Sequence, residues 1–217
     1  MPHEHEKVFQ AMNKWHTDRS NRMDLYNAIG GGIWQACKLL RREPKSAIDF
    51  GSSIGALLSV LPVEQRRGLE YSPDAVASRM IDDIVLTDLD NCEQIRKALN
   101  GDKFDLIICQ EVAEHLKNIR PETAPTMDMP IIDGLKMAAN SGSVLVFGAG
   151  YPNQPGRGHI SCRTARFWQY ALEDSGWLYQ HRATMVYATM FAKTQAVFAR
   201  NGHTNCYLNT MIFTRRS

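Results

Sequence analysis

Two groups of residues in this 217-residue chain have the types and spacing to do chemistry. The first is Asp49-Phe50-Gly51-Ser52-Ser53-Ile54-Gly55, with Glu70 and Asp88 following it. The second is Glu111, Glu114 and His115, with His159 further on. Gly51 and Gly55 sit between a short apolar run, Ala47 to Phe50, and a second one, Ala56 to Leu61. Glycines between a strand and a helix let the backbone turn tightly, so that helix N–H groups can approach a ligand. The carboxylate of Asp49 would repel a pyrophosphate, but it suits a ligand carrying an amino group or a positive sulfur. Glu111, Glu114 and His115 are spaced i, i+3, i+4, which places them on one face if the chain turns helical there. Two carboxylates and an imidazole can ligate a divalent cation such as Mg²⁺, Mn²⁺ or Fe²⁺. Such a cation binds a vicinal diol or lowers the pKa of a hydroxyl. Without a metal, His159 or His115 is the candidate general base, because an unperturbed imidazole titrates near pH ~6.5.

Other readings of the glycine loop are weaker. The dinucleotide pattern G-x-G-x-x-G fails, because position 53 is serine and position 56 is alanine. Gly51 to Gly55 does match the hydrolase elbow G-x-S-x-G, with Ser53 as nucleophile, Asp88 or Asp105 as acid and His159 as base. That elbow normally follows several strands, whereas here it follows the first strand after a helical lead-in.

The elements that position these residues alternate along the chain. Met23 to Leu40 has helical apolar spacing, interrupted by Gly30-Gly31-Gly32, which marks either a break or a close approach. Arg67 to Tyr71 reads as a second strand, and Ser72-Pro73 opens a helix with a serine cap. Asp83 to Leu89 reads as a third strand and Asn91 to Leu99 as a helix. Phe104 to Cys109 reads as a strand, continuously apolar after Asp105. Met129 to Asn140 is expected to be helical, Ser143 to Phe147 a fifth strand and Thr164 to Ser175 a helix. Runs near Arg182–Thr189 and Cys206–Thr214 read as two adjacent closing strands. The expected fold is α/β: a doubly wound, Rossmann-like, seven-stranded sheet, mostly parallel with an antiparallel last strand and helices on both faces. Residues 1–45 are expected to form an N-terminal helical cap, including Trp15, Tyr26 and Trp34, and residues 46–217 the main domain. Proline-rich Lys117–Pro130 and glycine-rich Gly148–Cys162 leave the carboxyl ends of strands, where open α/β sheets bind ligands.

D-x-G-x-x-x-G closing a first strand, followed by an acidic residue closing the second, resembles the S-adenosylmethionine-dependent methyltransferases of the Rossmann-like class. The resemblance runs from about Ala47 to Trp177. It also takes in Gly68-Leu69-Glu70-Tyr71-Ser72, Leu86-Thr87-Asp88-Leu89 and Phe104 to Val112. It implies that Asp49, Gly51, Ser53 and Gly55 line the methionine part of the cofactor, with Ser53 standing where many members have glycine. Glu70 would accept hydrogen bonds from both ribose hydroxyls, with Tyr71 beside it. Asp88 and Leu89 would sit at the adenine, and Gln110 near the methionine end. The E-x-x-E-H run is similar to the metal site of small-RNA 3′-terminal 2′-O-methyltransferases and of ubiquinone-pathway O-methyltransferases. In the RNA enzymes a histidine ahead of the next aromatic-rich helix is a fourth ligand, and His159 stands in the comparable place. Gly158-His159-Ile160 before Phe167-Trp168 also resembles glycan- and natural-product-modifying methyltransferases, in which this segment faces the acceptor. Here Ser161 stands where an asparagine is usual. Arg157, Arg163 and Arg166 are candidate contacts for an anionic acceptor.

The resemblance implies methyl transfer from S-adenosylmethionine to an oxygen of a sugar or another small polar acceptor. The alternatives are metal-assisted RNA 2′-O-methylation and a non-catalytic cofactor-binding protein. A formal net charge of +2 gives no argument for nucleic acid or membrane as partner. Five scattered cysteines without a C-x-x-C pair argue against disulfides and structural zinc. The polar start, with His3 and His5, has no apolar signal core, so the expected location is cytoplasmic, without a membrane partner. Nothing in the sequence specifies an oligomeric state.

Overall fold

The computed structural model describes residues 23–124, 128–156, 158–198 and 209–216. The expectations placed on His3, His5, Trp15, Arg157 and the start of the Cys206–Thr214 run lie outside them. The elements in chain order are α1 (Met23–Leu39), β1 (Ser46–Phe50), α2 (Ala56–Val60), β2 (Gln65–Glu70), α3 (Pro73–Ala77) and β3 (Ile84–Leu86). There follow α4 (Cys92–Leu99), β4 (Phe104–Gln110), a 3₁₀ turn at Ala113–His115, α5 (Pro130–Met137) and β5 (Ala139–Gly148). The chain closes with α6 (Ala165–Asp174), β6 (Trp177–Tyr179), α7 (His181–Phe198) and β7 (Met211–Arg215).

The strands form one seven-stranded sheet in the order β3-β2-β1-β4-β5-β7-β6. β1 to β5 are parallel, and β7 enters antiparallel between β5 and β6. Side chains of the central strands alternate between two cores, as the pleat requires. Ile48, Phe50, Ile107, Cys109, Leu145 and Phe147 face a core shared with α4, α5 and α6. Ala47, Leu106, Ile108, Val144, Val146 and Ile212 face the other, under α1, α2 and α7. The expected doubly wound sheet with an antiparallel last strand is what the chain forms. The serine cap is also present: the Ser72 hydroxyl accepts from the Ala75 N–H at 3.4 Å.

Three elements differ from the expected ones. The run Arg182–Thr189 is not a strand but part of α7, whose buried residues Ala183, Tyr187 and Phe191 recur every four positions. The β-branched Thr184 and Val186 gave it a strand-like look. The sixth strand is the three-residue Trp177–Tyr179, and α7 separates it from β7, so the sheet does not close with a hairpin. The helix expected to reach Asn140 stops at Met137, and β5 already begins at Ala139, with a register shift opposite Phe104–Leu106.

α1 runs unbroken through its three glycines. Two of them are close approaches: a Cβ on Gly30 would lie 3.1 Å from Val60, and one on Gly32 would lie 3.1 Å from the Tyr187 ring. Gly31 is exposed, and a Cβ there would meet nothing within 4 Å. Gly31→Ala is therefore expected to stabilise the fold by about 0.5–1 kcal/mol through helix propensity. Gly32→Ala should give no such gain, because it crowds Tyr187. Thermal midpoints of the two variants check the contrast.

Candidate functional site at the carboxyl ends of β1, β2, β4 and β5

The glycine loop is bound tightly to β2. The N–H groups of Gly51 and Ser52 both donate to the Leu69 carbonyl, at 2.8 and 3.1 Å. Gly51 and Gly55 take φ of +81° and +79°, which glycine adopts without strain, and Ser53 takes +50°. At Gly51 space forbids a side chain as well: a Cβ would lie 2.3 Å from Val112. That contact seats the loop against the turn carrying Glu111 to His115, so the two sequence clusters become neighbours in space. Glu70 closes β2 and is buried. One of its oxygens accepts from the Ser53 N–H at 2.7 Å, the other from the Ser72 N–H at 2.8 Å. Burial raises its pKa, and the backbone N–H donors oppose the rise. Asp49, also buried, is raised further, by desolvation and then by the charge of Glu70.

The other expected cofactor residues lie around this loop. Tyr71 is exposed next to Glu70. Asp88 is half-buried; its backbone N–H donates to Gln94 and its carboxylate accepts from the Asp90 N–H. Leu89 is buried behind it. The amide nitrogen of Gln110 donates to Thr210 at 2.8 Å and to Tyr187 at 3.2 Å, while its buried carbonyl oxygen has no partner. The hydrolase constellation does not form. The Ser53 hydroxyl is buried without a partner, and Asp105 accepts from Lys45 and Ser46 at the opposite end of β1.

The acidic and imidazole residues come together by a route other than a helix face. Glu111 takes φ +57°, a left-handed conformation that costs a non-glycine residue about 1–3 kcal/mol and concentrates at functional sites. The chain then makes only a single 3₁₀ turn. The Glu114 carbonyl accepts from both Ile160 and Ser161 N–H groups at 2.9 Å, which pins the β5–α6 loop onto the turn after β4. Glu114, His115 and His159 thereby bring one donor atom each to within 4.8 Å of one another. The His115 and His159 rings meet edge-on, with centroids 4.9 Å apart. Glu111, expected as a ligand with the other three, is not in that group. One of its oxygens accepts from Gln154 at 3.4 Å and the other is buried without a partner.

The protonation states follow from the partners. His115 Nδ1 lies 3.0 Å from the Gly158 carbonyl, and His159 Nδ1 lies 3.2 Å from the Gln154 carbonyl. A carbonyl can only accept, so both Nδ1 atoms carry hydrogen. The neutral imidazoles therefore keep their lone pair on Nε2. Glu114 is fully buried, and its carboxyl lies against that of Glu111. Burial raises its pKa, while nearby backbone N–H groups of Glu114 itself and Gly150 hold the rise back. Glu111 rises further, through burial and then the charge of Glu114.

Spacing did not reveal Gln154, whose amide reaches Glu111 and whose carbonyl fixes His159. Nor did it reveal Tyr187 and Thr210, which hold Gln110 from elements far along the chain. The arginines behave differently from the acceptor-binding expectation. Arg163 donates to the Arg120 and Cys162 carbonyls, and Arg166 donates to the Tyr170 hydroxyl. Gly156 gives a direct check on His159, because a Cβ there would lie 2.3 Å from its Nε2. Gly156→Ala is expected to leave the thermal midpoint unchanged, since the residue is exposed, yet to displace the His159 ring and lower any activity that rests on it, which imidazole NMR shifts and turnover would check. A ring displaced by about 1 Å can cost on the order of 10²-fold in rate.

No family model and no curated protein sequence matches the chain. The sheet order, the antiparallel β7 and the glycine loop beside an acid-terminated β2 define the class I S-adenosylmethionine-dependent methyltransferase fold. Among solved structures, the plantazolicin methyltransferase BamL, in complex with a desmethyl analogue and S-adenosylhomocysteine, superposes with a TM-score of 0.63 at 11% identity; 99% of this chain and 97% of that one are covered. An amino pentose methyltransferase of calicheamicin biosynthesis from Micromonospora echinaspora, bound to S-adenosylmethionine, gives 0.60 at 15% identity over 96% of each chain. The [4+2]-cyclase SpnF gives 0.52 at 12% identity, covering 85% of this chain and 79% of that one. The fold therefore carries more than one chemistry, and the site has to argue the activity.

Proposed function

We propose that this chain is an S-adenosylmethionine-dependent methyltransferase acting on an oxygen of a sugar or another small polar acceptor. The observation that carries this reading is the gathering of Glu114, His115 and His159 on the turn whose Val112 packs against Gly51 of the glycine loop. The residues at that loop fit the cofactor. The Glu70 carboxylate, fixed by the backbone N–H groups of Ser53, Ser72 and Tyr71, is a pre-positioned acceptor for ribose hydroxyls. Asp49 suits the positively charged end, the exposed Tyr71 ring offers a face to the nucleoside, and the free Gln110 carbonyl offers an acceptor to an amino group. Of the segment 1–45 expected as a cap, α1 packs through Gly30 on Val60 at the end of α2.

Methyl transfer is an in-line displacement: the acceptor O–C bond forms as the sulfonium S–C bond breaks, and the acceptor proton must leave. The lone pair on His159 or His115 Nε2 takes that proton, and the carbonyls of Gln154 and Gly158 hold the rings in the accepting tautomer. Most of the rate comes from holding the acceptor in line and excluding water. The buried carboxylate of Glu114 beside two imidazoles also fits a divalent cation, which Glu114, His115 and His159 would hold. When bound, it would stabilise an acceptor alkoxide. This donor set supports a second reading, in which the acceptor is the terminal ribose diol of an RNA.

The test begins with calorimetry of S-adenosylmethionine and S-adenosylhomocysteine, where absence of binding ends both readings. A labelled-methyl screen of sugars, small polar molecules and RNA follows. Binding without any product would instead mark a non-catalytic protein of this fold. Metal analysis of purified protein is expected to show a bound divalent ion that Glu114→Ala loses; no metal in either sample removes the cation from the reading.

A further inference from the structure

The glycine loop and the acid–imidazole site occupy the carboxyl rim of the parallel strands. The opposite rim is built from the segments that precede β4 and β5 and from the end of the antiparallel β7. It holds a groove of about 560 Å³, lined by Arg96, Lys103, Lys136, Arg215 and Arg216 and by a single carboxylate, Asp133. Five cations against one acid exceed the formal net charge of the whole chain, +2. Arg96 is paired with Glu93. Among the described residues, the other four make no ion pair. Lys103 donates to the Met137 carbonyl at the end of α5, and Arg215 lies half-buried over the Trp177 ring, 5.6 Å from its centroid, donating to the Ser175 carbonyl and, among the described residues, paired with no carboxylate. A partly desolvated guanidinium without a counter-charge leaves a favourable place for an anion.

We propose that this groove binds a compact, multiply phosphorylated small anion. Its volume is in the range of small-molecule sites, and its cations arrive from four separate segments, as multidentate phosphate recognition needs. No aromatic side chain lines it, so it lacks the stacking platform that binds successive bases of a single strand. The site is remote from the methyl-transfer site and does not depend on the reading given to it.

The experiment titrates inorganic tripolyphosphate into the full chain by calorimetry at about 0.05 M salt, where the Debye length exceeds ~10 Å. The variant is Lys136→Gln with Arg216→Gln, because among the described residues these two side chains make no hydrogen bond or ring contact that folding would miss. The control is Arg79→Gln, an exposed arginine on the other rim. One-to-one binding that weakens at least about tenfold in the double variant, or roughly 1.4 kcal/mol, and is unchanged in the control is the expected result. No binding up to about 1 mM, a free energy of only ~4 kcal/mol, overturns the proposal. Heat unaltered by the double variant does so too, as does tighter binding of a single-stranded RNA that displaces tripolyphosphate.

Discussion

Glu70→Ala is expected to weaken S-adenosylmethionine binding by roughly 10²-fold, the loss of two charge-assisted hydrogen bonds at about 1.5 kcal/mol each. Calorimetry of the variant measures this without knowledge of the acceptor. The fold itself should be little affected. The variant loses the bonds from Ser53 and Ser72, but it also loses the desolvation cost of a buried carboxylate, and those two effects oppose each other. The wild type should show a matching pH dependence. Hydroxyl donors favour the ionised carboxylate, and burial raises the Glu70 pKa in the free protein. Affinity should therefore fall on acidification, starting above the ordinary carboxylate range. An affinity that is flat with pH and unchanged in Glu70→Ala would place the ribose elsewhere.

How much of this was legible in the sequence depended on whether the signal was local. The glycine loop was, because a strand, a turn and a helix are encoded in fifteen consecutive residues, Ser46 to Val60. Gly51 and Gly55 proved to need positive φ for the reason their residue type suggests. The alternating cores were legible too, because β4 and β5 are buried on both faces and read as continuous apolar runs. α7 was not. A helix whose inner stripe is Ala183, Tyr187 and Phe191 has Thr and Val between them, and periodicity over so short a window could not separate it from a strand. The triple glycine in α1 left a break and a close approach equally open, and only the Tyr187 ring and Val60 decide between them.

In the site, residue types were readable and geometry was not. E-x-x-E-H suggested one helical face, yet the left-handed Glu111 takes its carboxylate out of the group that Glu114, His115 and His159 form. What joins His159 to that group is the Glu114 carbonyl accepting from Ile160 and Ser161. A backbone contact spanning more than forty residues leaves no mark on side-chain identity. Gln154 was invisible for the same reason. Its carbonyl, which any residue would supply, sets the tautomer of His159.

His159→Ala should lower kcat/KM by about 10²–10⁴-fold, the usual worth of a positioned general base, while cofactor affinity stays within about threefold. Loss of activity alone would not separate a base from a structural part, so the comparison with Glu114→Gln matters. Glu114 and Glu111 carry pKa values raised by burial, and for Glu111 by the neighbouring charge as well. A carboxyl whose folded pKa lies above its unfolded one makes the folded state bind more protons between the two values. Stability then falls as pH rises through that window. Glu114→Gln removes the penalty. It should raise the thermal midpoint near pH 8, with the gain vanishing near pH 4, where the wild-type carboxyls are protonated in both states. Activity should fall in the same variant, because Glu114 faces both imidazoles. A residue that costs stability at working pH and supports turnover is kept for function, not for folding. If Glu114→Gln instead destabilised the chain at every pH, the carboxylate would be a structural anchor. His159 would then have lost the neighbour that argues for its role.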